Sequence, residues 1–118
     1  MSKSIIFTAF AAVTTFSLTA LAGWSSARLI QSTAVIETDI GPICQVSTLD
    51  GLTYATKLVG LGQTFCESAR EAMVQSKLVQ FYNRNPDSMS ACDKLTYKPK
   101  NGFSSQSVCA VDGFSVQR

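Results

Sequence analysis

The sequence predicts a small α+β domain in which an antiparallel sheet of two hairpins packs on one main helix, residues 65–82. Three observations carry that expectation. Asp50-Gly51, Asn101-Gly102 and Asp112-Gly113 are turn-forming pairs set between alternating apolar and polar residues. The segment TFCESAREAMVQSKLVQFY has neither glycine nor proline and is rich in helix formers. Cys44, Cys66, Cys92 and Cys109 form an even set suited to stapling a small core.

The first 22 residues read as a secretory signal peptide. Lys3 precedes an uncharged stretch over 5–20, and Ala20-Leu21-Ala22 places small residues at −3 and −1 before Gly23. Kept instead, the run to Trp24 is an anchor of roughly one bilayer thickness, though weak because of its Ala, Thr and Ser content. Cleavage leaves 118 less 22, or 96 residues, with nine basic and eight acidic side chains and a net charge of +1. That size is one domain with a marginal core. The near-neutral balance provides no general attraction to nucleic acid, and a membrane enters only with the leader retained.

Residues 23–40 read as an N-terminal extension or a first strand, ended by Gly41-Pro42, and 41–118 as the stapled domain. ICQVSTL and LTYATKLV flank Asp50-Gly51, and a two-residue type I′ turn sets Leu49 opposite Leu52 and Ser47 opposite Tyr54. A short helix over 51–60 competes, using Leu52, Ala55 and Val59, but Gly51 and the threonines disfavour it. Thr64 and Glu67 form a capping box for the main helix. Its apolar face takes Phe65, Ala69, Ala72, Met73, Val79 and Tyr82, and Asn83 to Pro86 ends it.

In the second hairpin a loop of Pro99 to Gly102 keeps the proline out of the strands and pairs Lys98 with Phe103. Cys92 then opposes Cys109, within disulfide range. Cys44 is left for Cys66, one of three possible connectivities. The same register sets the cysteines on the face opposite Leu95, Tyr97 and Val108, so something else must cover them. AVDGFSVQR supplies an optional last strand.

Catalytic and metal chemistry have little to work with. No histidine is present, so a Ser-His-Asp or Cys-His arrangement is excluded within the chain. Glu67 and Glu71 are one helical turn apart, but acids in a first turn are explained by the helix dipole. The Asp-Gly pairs lack the alternating oxygen ligands of a calcium loop, and a four-cysteine zinc site conflicts with the export signal. No catalytic residue, metal or cofactor is expected. The best interaction surface is Lys94, Tyr97, Lys98, Lys100 and Phe103, basic and aromatic residues interleaved on the second hairpin, against the plainer reading of lysines guarding an edge strand.

The expected function is therefore that of a small secreted binding protein, effector-, toxin- or inhibitor-like, whose partner is another protein or a cell-surface component. The alternatives are a membrane-anchored accessory subunit and a secreted hydrolase working through carboxylates.

Overall fold

The computed structural model describes residues 23–102 and 104–117; the leader, Phe103 and Arg118 lie outside them. Among the described residues the chain runs β1 (Ile30–Thr38), β2 (Gly41–Thr48), β3 (Thr53–Lys57), α1 (Leu61–Val74), β4 (Val79–Tyr82), β5 (Lys94–Tyr97), β6 (Gln106–Ala110) and β7 (Gly113–Val116). One sheet has the order β1-β2-β3-β6-β5 and is antiparallel except between β3 and β6. A smaller sheet pairs β4 with β7, and bridges from Trp24 and Arg28 extend it on the other side of β4. The α+β class holds, with one helix on a mostly antiparallel sheet and the pairings Cys44–Cys66 and Cys92–Cys109.

The large sheet buries both faces. Cys44, Val46, Tyr54 and Cys109 point toward α1 and the small sheet, where Phe65, Ala69, Ala72, Val79 and Phe81 meet them. On the other face Ile43, Ala55, Tyr97 and Val108 form a second core with Ile36, Ile40 and Leu95. The cysteines thus lie opposite Leu95, Tyr97 and Val108 as the sequence implied, and the helix layer covers them. The sheet curls until its edge strands meet at one end, where Thr38 bridges Pro99. The result is a five-stranded, partly open barrel.

Both hairpin registers differ from expectation. Tyr54 opposes Val46, not Ser47, because the first loop has three residues, Leu49-Asp50-Gly51, with Gly51 at φ 93°. Thr48 closes this loop, its Oγ1 accepting from the Leu52 amide at 3.0 Å. A one-residue slip exchanges the faces of a strand; here it buries Leu52 and leaves Leu49 60% exposed. In the second hairpin Lys94 opposes Cys109. Cys92 precedes β5, and its loop reaches over the sheet to make the bond. In the chain-entropy account, closing loops of 22 and 17 residues contributes about 3 kcal/mol each.

The helix is shorter than expected and begins earlier. It starts at Leu61 after Gly60, without a side-chain cap, so the Thr64–Glu67 capping box is not used. Packing decides this: a Cβ at Gly62 would lie 1.8 Å from the Lys57 carbonyl oxygen, so only glycine lets the first turn close against β3. The helix ends at Val74 in a Schellman motif. Ser76 takes φ 53°, its amide donates to Met73, and the Lys77 amide donates to Ala72 at 2.9 Å. Val79 and Tyr82 therefore belong to β4, where Val79 and Phe81 alternate inward. Asp112-Gly113 does not make a hairpin; it carries the chain from β6 in one sheet to β7 in the other.

Tyr54 stacks on Phe81 with centroids 3.9 Å apart and planes 10° from parallel. Phe114 packs edge-on to Phe65 at 4.9 Å. The Tyr54 hydroxyl donates to the Pro86 carbonyl, and burial pushes its pKa up to about 12. Below the ordinary value of 10.0 both folded and unfolded chains hold this proton, so no pH dependence arises there. Above it the unfolded chain ionises first, and stability falls by up to about 1.4 kcal/mol per pH unit until the folded-state value is reached. Tyr54→Phe is expected to lower stability near neutrality by about 1 kcal/mol through loss of the hydrogen bond. It should also flatten this alkaline limb, as read by urea unfolding across the same pH range.

Candidate functional site

The expected binding surface separates into three parts. Lys94, Lys98 and Lys100 are exposed, and among the described residues none is in an ion pair. Tyr97 is 1% exposed and belongs to the second core, so it is corrected from a contact residue to a packing residue. Strand alternation explains this: Tyr97 shares a face with Leu95, between the outward Thr96 and Lys98. Phe103 lies outside the described residues.

Lys98 and Lys100 stand where the curled sheet closes. The Asp39 amide donates to the Lys98 carbonyl at 3.0 Å, and the Lys98 amide donates to Asp39 Oδ1 at 2.8 Å. The Lys100 amide donates to the Glu37 carbonyl at 3.0 Å. The β1–β2 turn is itself braced, with Thr38 Oγ1 donating to the Gly41 carbonyl at 2.7 Å and accepting from the Ile40 amide at 3.1 Å. These bonds hold the backbone of both lysines while leaving the ammonium groups in water. The product is a fixed charged rim, with Lys98 and Lys100 at the start of the β5–β6 loop standing beside the exposed Glu37 and Asp39 of the β1–β2 end. Sequence reading found the lysines but missed Asp39, whose contact with Lys98 spans 59 residues.

Asp50, the acid of the first turn, has a structural partner. Arg28 Nε donates to Asp50 Oδ2 at 2.9 Å, and Arg28 Nη1 donates to Asp87. Thr48 Oγ1 donates to Asp50 Oδ1 at 2.6 Å, and the Ser26 amide donates to Asp87 at 3.0 Å. The Arg28 side chain is 11% exposed and clamps the segment before β1 to two loops. Burial acts against the charged form of Asp50, but Thr48 and Arg28 outweigh it and hold the carboxyl below its ordinary value.

Glu67 and Glu71 are exposed on α1. Beside them an open groove of 690 Å³ runs between α1 and β1, lined by Val35, Leu58, Glu67, Arg70 and Met73 among others. A smaller pocket of 260 Å³ lies between the start of α1 and β7, around Leu61, Phe65, Ser68, Asp112 and Phe114. Among the described residues no three acid, cysteine or histidine side chains gather as a metal site, and no helix is long and apolar enough to cross a membrane. Comparison with family models, curated proteins and solved structures gives no match.

A carboxylate with a depressed folded-state pKa stabilises the fold above its ordinary value, and this contribution is lost as pH falls through the folded-state value. Asp50→Asn is therefore expected to weaken the fold at neutral pH and to lessen its sensitivity to acid below about pH 4. Arg28→Met, which strips both carboxylates of their partner, should cost about 1–3 kcal/mol. Denaturant titrations at neutral and acid pH measure both effects.

Proposed function

We propose that the chain is a small secreted binding protein that recognises an acidic protein or cell-surface component through Lys98 and Lys100 on the rim where the sheet closes. The observation behind this reading is the rim itself: two unpaired lysines on backbone pinned by cross-strand bonds. Pre-ordered backbone lowers the entropy cost of recognition, and an ammonium group free of an internal partner remains available to a carboxylate, sulfate or phosphate.

The architecture supports the same surface by analogy at the level of fold. Five-stranded, partly open Greek-key barrels of the OB type bind ligands on the face of strands 2 and 3 and on the loops joining strands 1–2 and 4–5. In strand order the corresponding loops here are the β1–β2 turn and the β5–β6 loop. Export is supported by Lys3, the uncharged run after it and the Ala20-Leu21-Ala22 site. Two disulfides are the staples expected of a small protein in an oxidising compartment.

Two measurements test this reading. The intact mass of exported protein should correspond to a chain starting at Gly23; retention of residues 1–22 would replace secretion with anchoring. Lys98→Glu with Lys100→Glu should reduce capture of acidic cell-surface material by about tenfold or more, as expected for two charge reversals at a rim. Lys77→Glu, just beyond the C-terminal end of α1, serves as the control. Equal capture by the double variant and the wild type would place recognition elsewhere.

A further inference from the structure

We propose that a second copy of this chain adds to the free edge of β1, the two β1 strands pairing antiparallel about a two-fold axis. The two edges of the large sheet are treated differently by the sequence. Beside β5 stand Lys94, Lys98, Pro99 and Lys100, the residues that blunt an edge against pairing. From Ile30 to Ile36 β1 has no charge and no proline, and among the described residues this stretch pairs only with β2, the Thr38–Pro99 bridge lying beyond it. The uncharged stretch Ile30–Ile36 of this edge strand is a template for another strand.

The hydrogen bonds define which part of that edge is free. The Asp39 amide and the Glu37 carbonyl point away from β2, since they bond Lys98 and Lys100. By strand alternation the amides and carbonyls of Thr33 and Val35 point the same way. The Glu37 carbonyl is already engaged, and an irregularity between Ile30 and Ser32 interrupts the ladder at the other end. The open window is therefore Ser32 to Ile36.

This window is self-complementary in one register. With the axis at Ala34, Thr33 of each copy faces Val35 of the other, and both residues use their outward amide and carbonyl. The two Ala34 residues then meet at the non-hydrogen-bonded position, where Cα atoms approach to about 4.5 Å and small side chains fit. Moving the axis to Val35 would require the engaged Glu37 carbonyl.

The side-chain layer matches. Val35, 60% exposed, opens into the groove between β1 and α1, where Leu58 and Met73 are apolar and Glu67 and Arg70 are charged. Among the described residues neither Glu67 nor Arg70 is in an ion pair. A two-fold axis normal to the sheet brings both helices to one side, so that Glu67 of one copy approaches Arg70 of the other.

Sedimentation equilibrium of the oxidised chain over a dilution series should give twice the chain mass, dissociating on dilution. Val35→Pro removes an outward amide while sparing the bonds to β2, and should weaken the dimer by about tenfold or more with an unchanged circular dichroism spectrum. Val35→Lys, which sets like charges on either side of the axis, should do the same and serves if the proline variant does not fold. Glu67→Arg should weaken the dimer, and Glu67→Arg with Arg70→Glu should restore it. A monomeric mass throughout, a closed ring of three or more copies, or a dimer that survives both Val35 variants overturns the proposal.

Discussion

The Tyr54 ring lies flat on Phe81 at 3.9 Å with its hydroxyl on the Pro86 carbonyl, and the positions of three layers are referred to that stack. Tyr54 comes from the middle of the large sheet, Phe81 from the small sheet, and Phe65 of α1 meets Phe81 edge-on at 6.4 Å. The hydroxyl bond holds the loop after β4 against the sheet, and that loop delivers Cys92 to Cys109. A Tyr54 one register step away would face the second core instead, and the aromatic joint would not exist. The three-residue loop at Asp50-Gly51 therefore has a consequence well beyond the turn.

Polar ties complete what a marginal apolar core leaves open. Asn83 is 1% exposed and fully engaged: its Nδ2 donates to the Asp93 carbonyl at 3.1 Å and to the Ala110 carbonyl, and its Oδ1 accepts from the Asp93 amide at 2.9 Å. Its own amide donates to Gly23 at 2.7 Å, joining the start of the described chain to the small sheet. Arg28 does similar work at the opposite end of that segment. At the barrel mouth the backbone of Lys98 and Lys100 closes the sheet while their side chains stay exposed.

Much of the layout was legible locally. Asp50-Gly51 marked a hairpin and the glycine-free stretch marked a helix, whereas the Cys92–Cys109 bond forms without the expected strand spacing, since Lys94 and not Cys92 opposes Cys109. The helix end was not legible, because the Schellman motif uses Ser76 in place of the glycine that usually announces it. The inward alternation of Val79 and Phe81 was a strand signal within LVQFY, masked by the helical composition just before it. For the rim, the lysines were visible as charges. Their exposure, the burial of Tyr97 among them and the role of Asp39 depended on which strand edges meet.

By itself the sequence determined the α+β class, a hairpin at Asp50-Gly51, an even set of cysteines and the poverty of catalytic groups. These follow from backbone propensity, residue count and chemical inventory, all local or compositional properties. Only the tertiary structure decided the two registers, the helix limits, the burial of Tyr97 and the engagement of Asp50 by Arg28. Each depends on how one segment packs against another distant in the chain. At Gly62 the deciding object is a single carbonyl of Lys57, and at Tyr54 it is the face of Phe81, neither of which local pattern can reveal.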